Sequence, residues 1–266
     1  MKLNHYNPEF PILDDAKAWR YMSLPKLINL IEDNEIYFAR LDSFDDPLEG
    51  LCFSIRSTME MKRLSQNSTA TEPFKTLFEG MHISKKEIKK WQVGSFASCW
   101  HITENRKDES LAMWDLYTDK YSFAFTIKFE TLKQLLSECL EFCLDIELEE
   151  ANYGMVEYLS LYHYGISASK KIIAPGFVKE PIYSHEKEMR FMLHRKKLLL
   201  EKDRVGIKLK LKTKLADLKS DIEIISHPDM DDEVSNVFIK KIDSLGFNVS
   251  LSKILTKNNI KKFIVD

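Results

Sequence analysis

The chain has 266 residues, of which 44% are hydrophobic and 30% are charged, and its formal net charge is −2. This composition predicts a globular protein with a substantial core, and the balanced charge gives no overall attraction to nucleic acid. The sequence contains no run of about eighteen apolar residues, so it predicts no membrane-spanning helix. The N-terminus lacks the pattern of a signal peptide. The four cysteines are scattered without a C-x-x-C pair, which argues against a zinc site and favours free thiols in the cytoplasm.

The first third of the chain predicts a helix, a strand and a longer helical region. Ser23 is a suitable N-cap, and the apolar spacing after it predicts a short helix that ends near Asn34. Residues 35–41 predict a strand, which ends in the turn DSFDDPLEG because Pro47 cannot continue a hydrogen-bonded ladder. Residues from about 56–91 predict a helical, charged insertion that contains a partly mobile Ser/Thr-rich loop.

The rest of the chain mixes strands and helices. Alternating apolar residues predict strands at 93–99, 121–129 and 188–194, which we expect to share one central sheet. The elements lack the strict β-α-β-α order of a parallel sheet. The predicted fold class is therefore α+β, as a single domain of residues 1–266 with a mixed, mainly antiparallel sheet flanked by helices.

The stretch YSHEKEMRFML, residues 183–193, has the alternation of a strand with one buried face. Met189 and Phe191 are expected on the buried face, with Glu186 and Glu188 together on the opposite one. This polar face either meets water or lines a cleft. On such a face, loss of the Glu188 charge is expected to change the free energy of unfolding by no more than about 1 kcal/mol.

Six short stretches of the chain together resemble one bacterial family. WRYMS, IYFARLDSFDDPLEG, FASCW, LAMWDLY and EKEMRFM are similar to the Y-R-Y, F-N-D-P-F-E, C-F-S, M-W-x-x-Y and E-K-E-W-R segments of domain-of-unknown-function family 2971. IEIISH is similar to a late strand of that family. The chain departs from the family at Asp45, which replaces Asn, and at Met189, which replaces Trp. The family carries no settled activity, so the function has to be argued from individual residues.

The order of three groups along the chain gives a second resemblance. Arg20, Ser98 and the pair Glu186 and Glu188 follow the Arg, Ser, Glu-x-Glu order of ADP-ribosyltransferases. This resemblance implies an NAD-dependent transferase of a toxin–antitoxin or phage-defence system, and an ADP-ribosyltransferase-like fold. The implied partners are NAD as substrate, a nucleic-acid or protein acceptor, and an antitoxin or other partner protein.

The same resemblance implies a role for each group. Arg20 would hold the pyrophosphate of NAD with its guanidinium fork, and Ser98 would bond a ribose or orient a glutamate. Glu188 would stabilise the cationic ribose left when nicotinamide departs, and Glu186 would position the acceptor. Aromatic side chains would pack on the nicotinamide ring. The candidates for this role are Trp100, Trp114 and Tyr117.

A second group of residues is expected to bind substrate or to support the site. It comprises Asp46, Glu49 and Arg190. We expect Arg20, Asp46 and Glu188 to converge on one cleft, because grouped charges must pair or bind a ligand. The alternative for Arg20 is a structural salt bridge with Glu49 or Glu188.

Other functions remain open from the sequence. Asp45, Asp46, Glu49, Glu186 and Glu188 also fit a Mg²⁺-dependent nuclease or phosphoesterase, although an aspartate in such a turn often caps its own backbone. A cysteine and a histidine two residues apart on a strand could act as nucleophile and base. These are Cys99 and His101. A non-enzymatic, partner-binding protein is the third alternative.

Three lysines alternate along one predicted strand and share a face. They are Lys208, Lys210 and Lys212. Such a row can attract nucleic acid, or it can protect the edge of a sheet from pairing with another chain. The edge interpretation is favoured.

Overall fold

The computed structural model describes residues 1–46, 48–51, 53–66, 92–103, 109–142, 148–159, 176–195, 205–256 and 259–260. The strands in these ranges are β1 (Leu3–His5), β2 (Lys17–Ser23), β3 (Glu35–Arg40), β4 (Ser95–Thr103), β5 (Ser122–Lys128), β6 (Leu148–Met155), β7 (Glu157–Tyr158), β8 (Val178–Lys179), β9 (Glu188–Arg195), β10 (Gly206–Lys210), β11 (Ile222–Ser226) and β12 (Val249–Leu251). The α-helices are α1 (Leu24–Glu32), α2 (Phe53–Ser65), α3 (Leu111–Tyr117), α4 (Phe129–Phe142) and α5 (Asp232–Ser244). Short 3₁₀ helices span Leu41–Ser43, Pro181–Glu186 and Leu215–Asp221.

Ten of the described strands form one mixed sheet. Its longest path runs β1-β6-β9-β4-β2-β5-β11-β12, while β3 pairs with β4 and with β10. The β1–β6 and β11–β12 pairs are parallel and the other pairs are antiparallel. The predicted α+β class with a mainly antiparallel sheet is confirmed, and the three predicted central strands are β4, β5 and β9. That the whole chain forms one domain stays a prediction.

Both faces of the central strands are buried. On β5, Phe123, Phe125 and Ile127 lie in the main core, which also receives apolar side chains from α1, α4 and α5. The other face of the sheet carries a smaller cluster, in which Trp19 of β2 packs with the fully buried Trp114 of α3. The helices therefore flank the sheet on two sides, and this double cover explains why β5 is apolar on both faces.

Along one edge, β4 pairs with two strands, β3 and β2, and we call this branching of the sheet the fork. Residues 101–103 of β4 pair with β2, whereas Phe96 and Ala97 pair with β3. The other edge of β4 pairs with β9 over residues 95–101. Because β2 and β3 occupy different lengths of the same edge, a gap opens between them beside the centre of β4.

Two sequence-based expectations concern the periphery. Strand β10 pairs only with β3 among the described strands, which places it at a sheet edge as expected. Lys208 of β10 pairs with Asp33 at 3.2 Å and with Glu35 at 3.3 Å.

Helix α2 begins the predicted helical insertion, whose remainder at 67–91 lies outside the described residues. No helix in the described part of the chain is both long enough and apolar enough to cross a bilayer.

Asn34 joins the start of β3 to the segment that follows β10. It has a left-handed backbone, with φ 53°, and its side-chain amide donates to the carbonyls of Leu211 and Thr213 at 3.1 Å each. We expect Asn34→Ala to lower the free energy of unfolding by about 3 kcal/mol, because it removes these bonds and strains the backbone. Asn34→Gly should cost about 1 kcal/mol less, since glycine adopts positive φ freely. Equal urea midpoints for both variants and the native chain would contradict this account.

Candidate functional site

A cleft of about 820 Å³ opens beside the fork in the sheet. It lies between β2, β3 and β4 on one side and α3 with the segment 179–188 on the other. Its aromatic lining includes Trp19, Tyr21, Tyr37, Trp100, Tyr117 and Tyr183. Its charged lining includes Arg20, Asp45, Asp46, Lys179, Glu186 and Glu188. This volume and this mixture of aromatic and charged groups fit a small-molecule site.

Arg20 lies at the gap between β2 and β3. Its guanidinium donates to Ser98 Oγ and to the Tyr37 carbonyl at 3.3 Å each, and it stacks 5.4 Å from the Trp100 ring. No carboxylate pairs with it among the described residues. The alternative of a salt bridge to Glu49 or Glu188 is therefore wrong for the described structure.

Ser98 does not orient a glutamate. It is opposite Phe191 in the β4–β9 register, whereas Glu188 is opposite His101, so Ser98 and Glu188 point to opposite faces of the sheet. The fully buried Ser98 hydroxyl instead accepts from Arg20 and, at 3.1 Å, from the Trp100 indole. Its role here is to hold Arg20 in place.

Glu186 is not on the strand, which corrects the expectation for residues 183–193. It ends the 3₁₀ helix Pro181–Glu186, and β9 begins only at Glu188. Between them Lys187 adopts a left-handed backbone, with φ 40°. This turn still brings both carboxylates to the same cleft. Met189 and Phe191 lie in the main core as expected.

Glu188 and Arg190 do not form a water-facing surface. The Arg190 side chain is 0% exposed and binds two carboxylates, Glu49 at 2.6 and 2.8 Å and Glu188 at 2.8 and 3.0 Å. Glu49 is itself 0% exposed, and Glu188 is 5% exposed. The expectation that loss of the Glu188 charge costs little stability is therefore revised, since breaking a buried pair leaves a charge uncompensated.

Lys179 of β8 joins the two candidate glutamates. Its ammonium lies 2.6 Å from Glu186 Oε2 and 3.0 Å from Glu188 Oε2. The second oxygen of Glu186 accepts from the Tyr117 hydroxyl. Lys179, Glu186, Glu188, Arg190 and Glu49 thus form one continuous ion-paired cluster under the cleft.

The cluster shifts the pKa values of Glu186 and Glu188 in opposite directions. Burial alone would raise the pKa of Glu188, but the charges of Arg190 and Lys179 outweigh burial and hold this pKa well below its usual range. The pKa of Glu186 is raised, first by burial and then by the neighbouring Glu188 charge. Glu188 is therefore a fixed anion, whereas Glu186 is the carboxylate better suited to exchange a proton.

The two predicted aromatic residues of α3 have different positions. Tyr117 lines the cleft and is 48% exposed, as its predicted contact with a ligand requires. Trp114 is 0% exposed, packs at 4.9 Å against Tyr21, and is not among the cleft-lining residues. Trp114 therefore supports the wall, and Trp100 is the tryptophan beside Arg20.

Cys99 and His101 face the cleft from β4, but their contacts do not form a nucleophile–base pair. The Cys99 thiol donates to Glu188, and burial followed by the Glu188 charge raises the Cys99 pKa well above its usual value. His101 Nδ1 donates to the Glu186 carbonyl at 2.6 Å. A thiol that stays neutral beside a weakly basic carboxylate is a poor nucleophile.

The acidic turn also favours structure over metal binding. Asp46 lines the cleft, yet its Oδ1 accepts from the Leu48 amide at 2.8 Å, which is the backbone cap expected of such a turn. Glu49 is committed to Arg190. In the described ranges, no group of three or more His, Cys, Asp or Glu side chains is arranged to hold a metal ion. The carboxylates proposed for Mg²⁺ are thus largely occupied by fixed cations.

Comparisons with family models, curated proteins and solved structures found no match to this chain. The resemblances drawn from its short motifs therefore stay predictions.

Sequence reasoning missed Lys179 altogether. It lies in the dipeptide strand β8, which follows residues outside the described ranges and shows no periodic pattern. Its partners are 7 and 9 positions away along the chain and belong to two different elements. The 3₁₀ helix and β9 are joined by the left-handed turn at Lys187, and no local sequence pattern predicts this turn.

The Arg190 cluster gives a stability prediction. Arg190→Met leaves Glu49 and Glu188 buried without their shared cation, so we expect a loss of about 3–5 kcal/mol in the free energy of unfolding. Urea unfolding followed by circular dichroism measures it. The matched control is Lys208→Met, which removes an exposed pair and should leave the midpoint unchanged. An Arg190→Met protein as stable as the native chain would show that the cluster is not a structural requirement.

Proposed function

We propose that the protein is an NAD-dependent, ADP-ribosyltransferase-like enzyme of a bacterial or phage-conflict system, acting on a nucleic-acid or protein acceptor. One observation carries the proposal. The strands β9 and β2, which flank β4, bring Glu188 and Arg20 to one aromatic cleft, and Ser98 of β4 holds Arg20 from behind without lining the cleft itself. Arg20 has no carboxylate partner among the described residues. The residues that follow the Arg, Ser, Glu-x-Glu order in the sequence thus lie on or beside three neighbouring strands of the sheet.

Arg20 supports the binding of an anionic ligand group. Burial lowers its pKa, but a guanidinium stays protonated in proteins. A partly desolvated cation that is bonded to the Ser98 hydroxyl and the Tyr37 carbonyl is stabilised by an incoming anion. A pyrophosphate offers the paired oxygens that a guanidinium fork recognises.

The part of the cleft that Glu186 and Glu188 line supports a cationic group. The ion-paired cluster contains three carboxylates, Glu49, Glu186 and Glu188, and two cations, Lys179 and Arg190. With all three carboxylates ionised, the formal charge of these five groups is −1. The nicotinamide ring of NAD is positive, and so is the ribose as that ring departs, so both are stabilised there. Aromatic faces beside it suit a planar ring.

The chemistry follows from this polarity. The bond between ribose C1′ and the nicotinamide nitrogen breaks, and its electron pair goes to the ring, which leaves neutral. A nucleophile of the acceptor forms the new bond to C1′. The proton of that nucleophile passes to Glu186, whose raised pKa suits a proton acceptor. Glu188 stays ionised and stabilises the developing positive charge.

The activity test compares two reactions in the same preparation. We expect release of nicotinamide from labelled NAD in the presence of chelator, and transfer of label to a component of cell lysate. Glu188→Gln should lower the rate by about 10²–10³, because the charge facing the ribose is lost. The variant's fold is checked by circular dichroism, since Glu188 is buried. Metal-dependent cleavage of nucleic acid without any use of NAD would instead establish the nuclease alternative.

Arg20 offers a test of ligand binding separate from the carboxylates. Arg20→Lys keeps the positive charge but loses the planar fork, so we expect affinity for ADP-ribose to fall by about tenfold or more. Calorimetry measures the affinity directly. The control is Lys17→Ala on the same strand, whose side chain pairs with Glu223 at 2.8 Å and is not among the cleft-lining residues. Unchanged affinity in Arg20→Lys would remove Arg20 from the site.

A further inference from the structure

We propose that Lys179 is the positioning residue of the site, whose ammonium group holds the Glu186 and Glu188 carboxylates side by side and ready for the reaction. The kinetic consequence rests on the proposed function, whereas the effect on the glutamates does not.

The geometry places the Lys179 ammonium between carboxylates of two consecutive elements. Glu186 ends a 3₁₀ helix and Glu188 begins β9, yet one ammonium lies 2.6 Å from the first and 3.0 Å from the second. Lys179 itself belongs to β8, which pairs with β7 outside the main sheet. Its side chain is 8% exposed, so the ammonium is held rather than sampling water.

Among the described residues, no second cation is placed to pair with Glu186. Arg190 is saturated, with Glu49 and Glu188 on its fork and the Gly176 carbonyl on Nη1 at 2.5 Å. Lys179 is the single cation that pairs with Glu186 in the described part of the chain. Two neighbouring buried carboxylates do not both stay ionised without a cation to compensate them.

The groups around Lys179 come from every element packed against it. They are Glu186 and Tyr183 of the 3₁₀ helix, Glu188 and Arg190 of β9, Glu49 before α2, Tyr117 of α3, Tyr158 of β7 and Cys99 of β4. Burial alone would lower the Lys179 pKa, but Glu188 and then Glu186 raise it above its usual value. Lys179 is thus always protonated near neutral pH, which excludes it as a nucleophile and suits a fixed cation.

This arrangement fixes the direction in which the Glu186 pKa changes when Lys179 is removed. The Lys179 charge lowers the pKa of Glu186 against the opposing effects of burial and Glu188. Without Lys179, Glu186 holds its proton to higher pH. A reaction that needs ionised Glu186 then loses rate on its acid side at a higher pH than in the native protein.

The test uses three variants of the full chain. Lys179→Met removes the cation, Lys179→Arg retains it, and Lys187→Met removes the exposed charge that lies between the two glutamates in sequence. The titration of Glu186 is followed by NMR of ¹³C-labelled glutamate side chains, with the resonance assigned by its loss in Glu186→Gln. We expect the midpoint to rise by about one pH unit or more in Lys179→Met. Lys179→Arg and Lys187→Met should titrate close to the native protein.

The second readout is the pH profile of NAD cleavage. Its acid limb should move in the same direction in Lys179→Met and return in Lys179→Arg. A native Glu186 midpoint in Lys179→Met would overturn the inference, and Lys179→Gln provides the same comparison if the methionine variant does not fold. A shifted midpoint in a protein that never cleaves NAD would uphold the role of Lys179 and overturn the proposed function.

Discussion

The buried guanidinium of Arg190 is the interaction on which the site depends. It binds Glu49 from the turn after β3 and Glu188 at the start of β9, so one side chain joins segments 141 residues apart in the chain. A fully buried arginine is costly unless all its donors are bonded, and here both carboxylates are bound through two nitrogens. This requirement places the acidic turn and the start of β9 at one point, which becomes the floor of the cleft.

The ion pairs of Arg190 and Lys179 determine how charge is distributed in the cleft. Arg190 neutralises Glu49 and fixes Glu188 as an anion, while Lys179 offsets part of the charge of Glu186. The cleft is thus lined by carboxylates of different pKa and by Arg20, which has no carboxylate partner among the described residues. A ligand that is anionic in one part and cationic in another satisfies both kinds of group, and NAD has this distribution.

The sequence predicted the strands well because alternation of apolar residues is a local property. It identified β4, β5 and β9 as parts of one sheet and Met189 and Phe191 as core residues. It also placed Arg20, Asp46 and Glu188 at one cleft, because charged groups that converge have to pair or bind a ligand.

Three features could not be predicted, and each depends on contacts between distant segments. The turn at Lys187 ends the 3₁₀ helix before β9, and Glu186 then meets Lys179 of β8 and Tyr117 of α3, partners that the local sequence does not reveal. Ser98 points away from Glu188 because the register of β4 against β9 is set by packing of the core. Trp114 is buried because α3 lies flat on the sheet, a tertiary contact that helical spacing does not specify.

The most direct test of the central claim is a crystal structure with an NAD analogue that cannot be cleaved because carbon replaces the ribose ring oxygen. The account places the pyrophosphate on the Arg20 guanidinium and the nicotinamide end beside Glu186 and Glu188. Density for the analogue in the opposite orientation, at another surface, or absent at saturating concentration would contradict it.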